Sequence, residues 1–476
     1  MSNRITNLMK NTVVFTIGNF SSKILVFLLL PLYTNYLNPA EYGEVDIYIN
    51  ILSIAYSFVS LQTIETVFRY IQDAKNDREK DEVISNSLIV ALAGIAVFAI
   101  GMTIYGTIVD FPYTFVFILY VAFNILAQYC QQAIRGMNST VLYSTVGVLS
   151  TFVQLASNII FIVICHFGAV SLLWSHVVTS LFILLAILLK CNILKHFKFS
   201  AIKFSVIKEQ LGYSIPLMPN AICIWGINSL GRYLLLFFYT TTEVGLLSFA
   251  TKFSQALGMV NNIFFMAWQQ SAISEYNSKD KNEYATEVFN NFLSLLLSAA
   301  AILMPAIKFL TFTIMGDEYR IAWVYVPIFF LGTIFNACER FVSMGFYSAK
   351  KTSTVFITSL IALAIYFGVG YFAAKEWYIW GVGIAHALSE FVYYLIMHFK
   401  VKKYMHVSVK VKKLILPVLI VVVSTVLYYL VDSIYMLILV AAAVAFASLF
   451  ANMSLFKGLI RMLLGKFKKK PANDSK

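Results

Sequence analysis

Apolar runs of about 18 or more residues, each almost free of charge, follow one another along the whole chain. No polar interval between them exceeds roughly 20 residues, so no soluble domain of ordinary size is left over. A chain built this way has few options. In hydrocarbon every backbone polar group must be satisfied internally, and runs of this length do so as helices. Charge content agrees: 12% of the 476 residues are Asp, Glu, Lys or Arg, against roughly 25% in soluble globular chains. The sequence therefore predicts an all-α polytopic membrane protein. The runs are read as fourteen spans at 12–37, 43–68, 85–109, 113–133, 141–165, 169–189, 211–239, 244–269, 287–311, 322–347, 355–374, 380–399, 414–431 and 434–453. The basic then apolar N-terminal stretch has the order of a signal peptide, but its apolar part is too long and no small-x-small site follows, so it is read as a retained first helix.

Charge sets the expected orientation. With the N-terminus in the cytoplasm, 29 of the 36 Lys and Arg fall in inner segments and two, Arg320 and Lys375, fall in outer loops. Cytoplasmic loops are enriched in Lys and Arg because translocating positive charge is disfavoured. Both termini are thus expected inside, and the net charge of +13 is read as an orientation signal plus attraction to anionic headgroups rather than nucleic-acid binding. Five cations remain within spans: Lys23, Arg232, Lys252, Lys308 and Arg340.

Polar residues inside the spans are phased at helical spacing. Thr12, Thr16, Asn19 and Lys23 share one face, as do Asp46, Asn50, Ser53, Ser57 and Ser60. Asn124, Gln128, Gln131 and Arg135 form a third stripe; Ser248, Lys252, Gln255 and Asn262 a fourth; Asn336, Glu339, Arg340 and Ser343 a fifth. Single hydroxyls and amides in such stripes commonly bond helix to helix. A Lys or Arg at the bilayer centre costs about 2.5–3.5 kcal/mol on insertion scales and faces a cavity or a partner. Snorkelling suffices for Lys308, near the outer end of its span. Lys23, Arg232, Lys252 and Arg340 are read instead as lining a wet cationic cavity, with Asn19 and Asn228 beside them. The acids inside spans are Asp46, Glu65, Glu339 and Glu390, which are candidates for coupling to ions; for Glu65 an i,i+4 pair with Arg69 is the simpler expectation. In the run "YSIPLMPNAICIWGINSLGRYLLLFFYT" (213–240) the two prolines sit near the inner end, and Trp225, Asn228 and Arg232 are placed on one face.

No GxxxxGK[ST], HExxH, GxSxG or zinc-spaced Cys/His cluster occurs, and the outer loops are too short to hold a polymerase's acceptor. A transporter is expected, not an enzyme, and no cofactor. An internal echo supports this. "LLLPLYTNYLNPAEYGEVDIY" (28–48) can be set against "YLLLFFYTTTEVGLLSFATK" (233–252), aligning Gly43 with Gly245, Asp46 with Ser248 and Asn50 with Lys252. Phe123-Asn124 and Thr140 repeat as Phe335-Asn336 and Thr352. Two six-helix lobes, 1–210 and 211–400, followed by two further spans and a basic tail in 401–476, is the resulting division, and paired halves are a common transporter design.

"PLYTNYLNPAEYGEVD", "YSIPLMPN…GRYLL" and "VGLLSFATKFSQAL…AW" together resemble the Wzx-like polysaccharide flippases of the multidrug/oligosaccharidyl-lipid/polysaccharide superfamily, over essentially the whole chain. The resemblance implies two six-helix lobes around a central cavity, a bacterial inner-membrane location, and translocation of undecaprenyl-diphosphate-linked sugars for O-antigen or capsule. The partners it implies are that lipid-linked oligosaccharide, membrane lipids and other assembly proteins. Cations suit the diphosphate. This chain departs from the family in having Gly231, which leaves Arg232 without the acid that often precedes it, and Gln269 where Pro is common. The competing readings are a drug/cation antiporter of the same superfamily, which would favour acids in its cavity, and a membrane-embedded polymerase or ligase.

Overall fold

The computed structural model describes residues 29–457 except 138, 192, 350, 454 and 456. Among the described residues every regular element is helical. In chain order they are α1 (29–36, its described part), α2 (Pro39–Val59), α3 (Thr63–Asp73), α4 (Asp77–Val109), α5 (Thr114–Gly136), α6 (Thr140–Ile159), α7 (Ser171–Lys190), α8 (Phe204–Ser214), α9 (Met218–Phe238), α10 (Thr241–Ser274), α11 (Lys281–Ile314), α12 (Val326–Ser348), α13 (Thr352–Val401), α14 (Val411–Leu430) and α15 (Ile434–Ala451). The span 12–37 lies mostly outside the described residues; each later span, from 43–68 to 434–453, has its helix.

Ten helices are long and apolar enough to cross a membrane, or up to eleven when α2 and α3, bent by 50° at their junction, count as one. Two details reconcile this with fourteen spans. At about 1.5 Å per residue, the 50 residues of α13 would stretch about 75 Å, over twice a hydrocarbon core of about 30 Å. The chain instead reverses at Tyr378, whose φ of 62° and ψ of −139° are non-helical. Gly381 then packs so closely that a Cβ there would lie 1.9 Å from the Ala373 carbonyl oxygen. The two legs of α13 are the spans read at 355–374 and 380–399. α10, with 34 residues, is long enough to span but is too polar to be among the ten.

Local sequence explains the ends. Asn38 caps α2 with a complete capping box: its side chain accepts from the Glu41 N–H at 2.9 Å, and its own N–H donates to Glu41 Oε2 at 3.1 Å. Asn76 caps α4 in the same way, accepting from Glu79 N–H at 2.9 Å. Pro216 lies in a 3-10 turn, Ile215–Leu217, that joins α8 to α9, and the three together form one continuous candidate span, Phe204–Phe238.

Packing groups the chain into two compact units. One holds the described residues up to Tyr233 together with Thr240–Gly245; the other holds Leu234–Tyr239 and those from Leu246 onward. This is a grouping by contact, separate from the division at 210 and 400. In the first unit the first turns of α2 and α10 cross reciprocally. A Cβ on Gly43 would lie 1.9 Å from the Thr241 carbonyl oxygen, and one on Gly245 would lie 1.9 Å from that of Pro39. Each glycine thus meets the carbonyl four residues before the other, which places the aligned pair Gly43 and Gly245 on equivalent sides of one crossing.

Both units also contain the same latch. In the first, buried Asn86 on α4 donates through Nδ2 to the Ala201 carbonyl at 2.9 Å and accepts at Oδ1 from the Lys203 N–H at 2.7 Å. In the second, buried Asn290 on α11 donates to the Ser408 carbonyl at 2.8 Å and accepts from the Lys410 N–H at 2.7 Å. Each Asn satisfies the backbone of an extended segment just before a helix begins. Ion pairs of Lys198 with Asp81 and of Lys203 with Glu82 reinforce the first latch; Thr286 and Asn282 reinforce the second through the N–H groups of Ser408 and His406.

In the second unit α14 and α15 are tied to α11 at several depths. Ser424 donates to the Ala301 carbonyl at 2.7 Å, and Asn452 bridges Ser294 and Ser298 at 2.7 and 2.9 Å. Lys308 is buried, its Nζ donating to the Tyr428 carbonyl at 2.8 Å and to Asp432 at 3.0 Å, and lying 4.0 Å from the Trp323 ring centroid. Asp432 is an exposed acid in the turn between α14 and α15, 124 residues away, so the side chain near the outer end of its span is fixed by a partner as well as by reach.

Asn86→Ala and Asn290→Ala each remove both partners of a buried backbone pair. Each is expected to lower stability by about 1–3 kcal/mol, read by thermal unfolding in detergent. Amide exchange should rise at Lys203 in the first variant and at Lys410 in the second.

Candidate functional site

In the first unit, α2 and α9 meet along a polar seam. Asp46 and Asn50, one turn apart on α2, face Trp225, Ser229 and Arg232 on α9. The Trp225 indole N–H donates to the Asn50 carbonyl at 3.0 Å, and the Ser229 hydroxyl donates to Asn50 Oδ1 at 2.8 Å. Asn50 Nδ2 donates to Asp46 Oδ2 at 3.2 Å. Arg232 Nε forms an ion pair with the same carboxylate oxygen, and Nη1 donates to the Asn228 carbonyl at 2.9 Å. Both charged side chains are 8% exposed.

Arg232 has no acid beside it in sequence, yet it is paired. Gly231 carries none, but Asp46 supplies one from a helix 186 residues distant in sequence. The face of α9 that carries the seam is Trp225, Ser229 and Arg232 rather than Trp225, Asn228 and Arg232: the Asn228 side chain is exposed and bonds the Ile224 carbonyl at 2.7 Å. The pairing also explains how the membrane tolerates the cation, since a buried charge is stable when an opposite charge and hydrogen bonds replace its water.

Glu65 does not pair with Arg69. The Arg69 guanidinium lies 3.2 Å from Asp73, one turn further along α3, and the Glu65 side chain is exposed. Either acid has i,i+4 spacing to Arg69 (one before it, one after), so spacing could not choose between them.

The second unit carries a different cluster, on α12 and the second leg of α13. Glu339 is buried and accepts from the Ser343 hydroxyl. Glu390, also buried, accepts at Oε1 from Asn336 Nδ2 at 3.1 Å and lies 3.9 Å from His386 Nε2. Its second oxygen, Oε2, and His386 Nδ1 are buried with no hydrogen-bond partner among the described residues. Arg340 donates to Asn262 on α10, and its guanidinium sits 4.3 Å from the Phe265 ring centroid. Lys252, on the same helix, is half-buried. Asn19 and Lys23 lie outside the described residues.

Sequence reasoning placed Asn50, Asn336 and Asn262 in the right stripes without their partners, and passed over His386. Its signal was available: His386 and Glu390 are at i,i+4 within one apolar span. Among the described residues no group of three or more His, Cys, Asp or Glu could hold a metal ion.

These features define a class: a multi-pass membrane protein with a transporter fold. The chain superposes on a lipid II flippase, MurJ, in an inward closed conformation with a TM-score of 0.69, at 15% identity over 94% of this chain and 100% of that one. It also resembles the Vibrio cholerae MATE transporter VcmN (D35N mutant; TM-score 0.61, 13% identity, 84% of this chain and 98% of that one). A multidrug resistance MATE family transporter of the MOP superfamily, in an inward-facing conformation, gives a TM-score of 0.61 at 14% identity over the same shares. Identities this low establish the fold. Residues 8–269 match the family of polysaccharide biosynthesis proteins, and the chain belongs to that family. None of the curated protein sequences matches it significantly.

Removing one member of a buried ion pair strands the other. Asp46→Ala is expected to destabilise the protein by about 3–5 kcal/mol, whereas Asp46→Leu combined with Arg232→Met should cost far less. A double-mutant cycle by thermal unfolding measures the difference.

Proposed function

We propose that the protein is a flippase that moves an undecaprenyl-diphosphate-linked oligosaccharide repeat unit from the inner to the outer leaflet of a bacterial inner membrane by alternating access. The observation that carries this reading is the family match over residues 8–269, on a chain that takes the fold of a lipid II flippase over 94% of its length. A bulky anionic headgroup needs cations for its diphosphate and amides for its sugars. In this reading Lys23, Arg232, Lys252 and Arg340 serve the diphosphate, and Asn19 and Asn228 the sugars. Because Asp46 holds Arg232, the diphosphate would have to compete with that carboxylate.

Of the acids, Glu339 and Glu390 suit ion coupling best. They are buried within spans, and Glu390 Oε2 has no hydrogen-bond partner among the described residues, so a proton or cation bound there would replace a missing interaction. Asp46 is committed to Arg232, and Glu65 is exposed. The polysaccharide family match favours this function over a drug antiporter, and the lack of a large outer loop disfavours a polymerase.

Cells lacking the protein are expected to accumulate lipid-linked repeat units on the cytoplasmic leaflet, detected by leaflet-selective labelling. With a polymerase lost, single units would still reach the outside. Expression-matched Arg232→Ala with Lys23→Ala should abolish surface polysaccharide; full export by that double variant overturns the cationic site. Glu339→Gln with Glu390→Gln should cut gradient-driven transport in proteoliposomes, since neither amide can carry the proton or charge that coupling needs.

A further inference from the structure

The second helix of the first half is broken and its repeat-mate is not. Taken together, α2 and α3 run from Pro39 to Asp73, and α10 runs from Thr241 to Ser274. The glycine alignment matches them start to start and nearly end to end. Yet the chain bends by 50° between α2 and α3, while α10 is helical throughout. The break is made by two consecutive non-glycine residues in the left-handed region, Leu61 (φ 47°) and Gln62 (φ 57°); α10 has no such residue. L-residues adopt this conformation at an energetic cost, and adjacent pairs without a glycine persist only where the surroundings hold them.

Two features mark the bent form as one of two states. First, it is accommodated: the Val59 carbonyl, at the end of α2, lies against Gly94 of α4, where a Cβ would be 1.9 Å from the oxygen. The Ser60 carbonyl accepts from both the N–H and the hydroxyl of Thr63, at 2.9 and 2.7 Å, which closes the end of the break. Second, it redirects the acceptor that a continuous helix would offer Thr66. The hydroxyls of Ser60 and Thr66 are fully buried and have no partner among the described residues. In a continuous helix a Thr hydroxyl bonds the carbonyl four residues earlier, which for Thr66 is that of Gln62. With Gln62 left-handed, that carbonyl takes the Glu65 N–H instead, at 3.2 Å.

We propose that Ser60–Gln62 is a hinge: the α2–α3 element alternates between this bent form, held by Gly94, and a continuous helix like α10, and its straightening carries the exposed acid Glu65 and the polar face of α3 through an arc during the transport cycle. The inference rests on the proposed alternating access for its timing, but on the geometry of the break for its existence. α3 has 11 residues, about 16 Å, so a rotation of the size of the bend displaces its far end by on the order of 10 Å.

The test is a distance measurement on the full chain in lipid nanodiscs. Spin labels are placed by Gln72→Cys on α3 and Gln128→Cys on α5, both exposed positions, with Cys165→Ser and Cys191→Ser to remove the more accessible native thiols. Two distance populations differing by several ångströms are expected. Leu61→Gly with Gln62→Gly, which makes the left-handed turn cheap, should raise the bent-to-straight ratio by at least about tenfold. Gly94→Ala, which blocks the Val59 carbonyl, should move it the opposite way. If Gly94→Ala does not fold, the glycine variant and the parent chain still decide the question. A single distance, unchanged by the glycine pair and by added lipid-linked oligosaccharide, overturns the hinge. Loss of transport with both populations intact counts against the proposed function and leaves the hinge standing.

Discussion

Charge in hydrocarbon must be compensated, and much of this structure follows from that requirement. Removing an ion from water and placing it in a membrane interior is unfavourable unless an opposite charge and hydrogen bonds take the place of the water. Arg232 meets the condition through Asp46 and the Asn228 carbonyl. Lys308 meets it through Asp432, the Tyr428 carbonyl and the face of Trp323. In both cases the compensation ties helices together, so a residue that looks like a ligand in one dimension is also a fastener in three. Under the proposed function, substrate binding at Arg232 would be an exchange of partners, starting from an Asp46 that Asn50 holds and that Trp225 and Ser229 brace through Asn50.

The same rule governs uncharged groups. Backbone groups that leave a helix inside a packed unit must find partners. The Asn86 and Asn290 latches do this at equivalent places, each serving one carbonyl and one N–H of the segment that precedes the next helix. They are a more exact sign of internal repetition than the sequence echo, since the geometry is repeated where the surrounding residues are not. Among the described residues the rule is left unfulfilled at Glu390 Oε2 and at the Ser60 and Thr66 hydroxyls, which are buried without a hydrogen-bond partner.

Much of the architecture was legible in advance because hydrophobic length is a one-dimensional property. The spans and the hairpin within α13 follow from run length, and the 3-10 turn before α9 falls at Pro216. The polar stripes were legible too, because helical periodicity puts Asp46 and Asn50, or Asn336 and Glu339/Arg340, on one face. Their partners were not. Spacing alone offered Arg69 two acids, Glu65 and Asp73, and the fold selected the second. The left-handed turn at Leu61 and Gln62 gave no warning at all, since neither residue is a glycine or a proline.

By itself, then, the amino-acid sequence determined that the chain is a multi-spanning helical membrane protein, because hydrophobic run length, charge placement and helical period act residue by residue along the chain. Only the tertiary structure decided which charges are neutralised and which polar groups stay open. The acid for Arg232 is 186 residues away and that for Lys308 is 124 away. Pairings of that range are set by which helices pack together, and no local pattern records them.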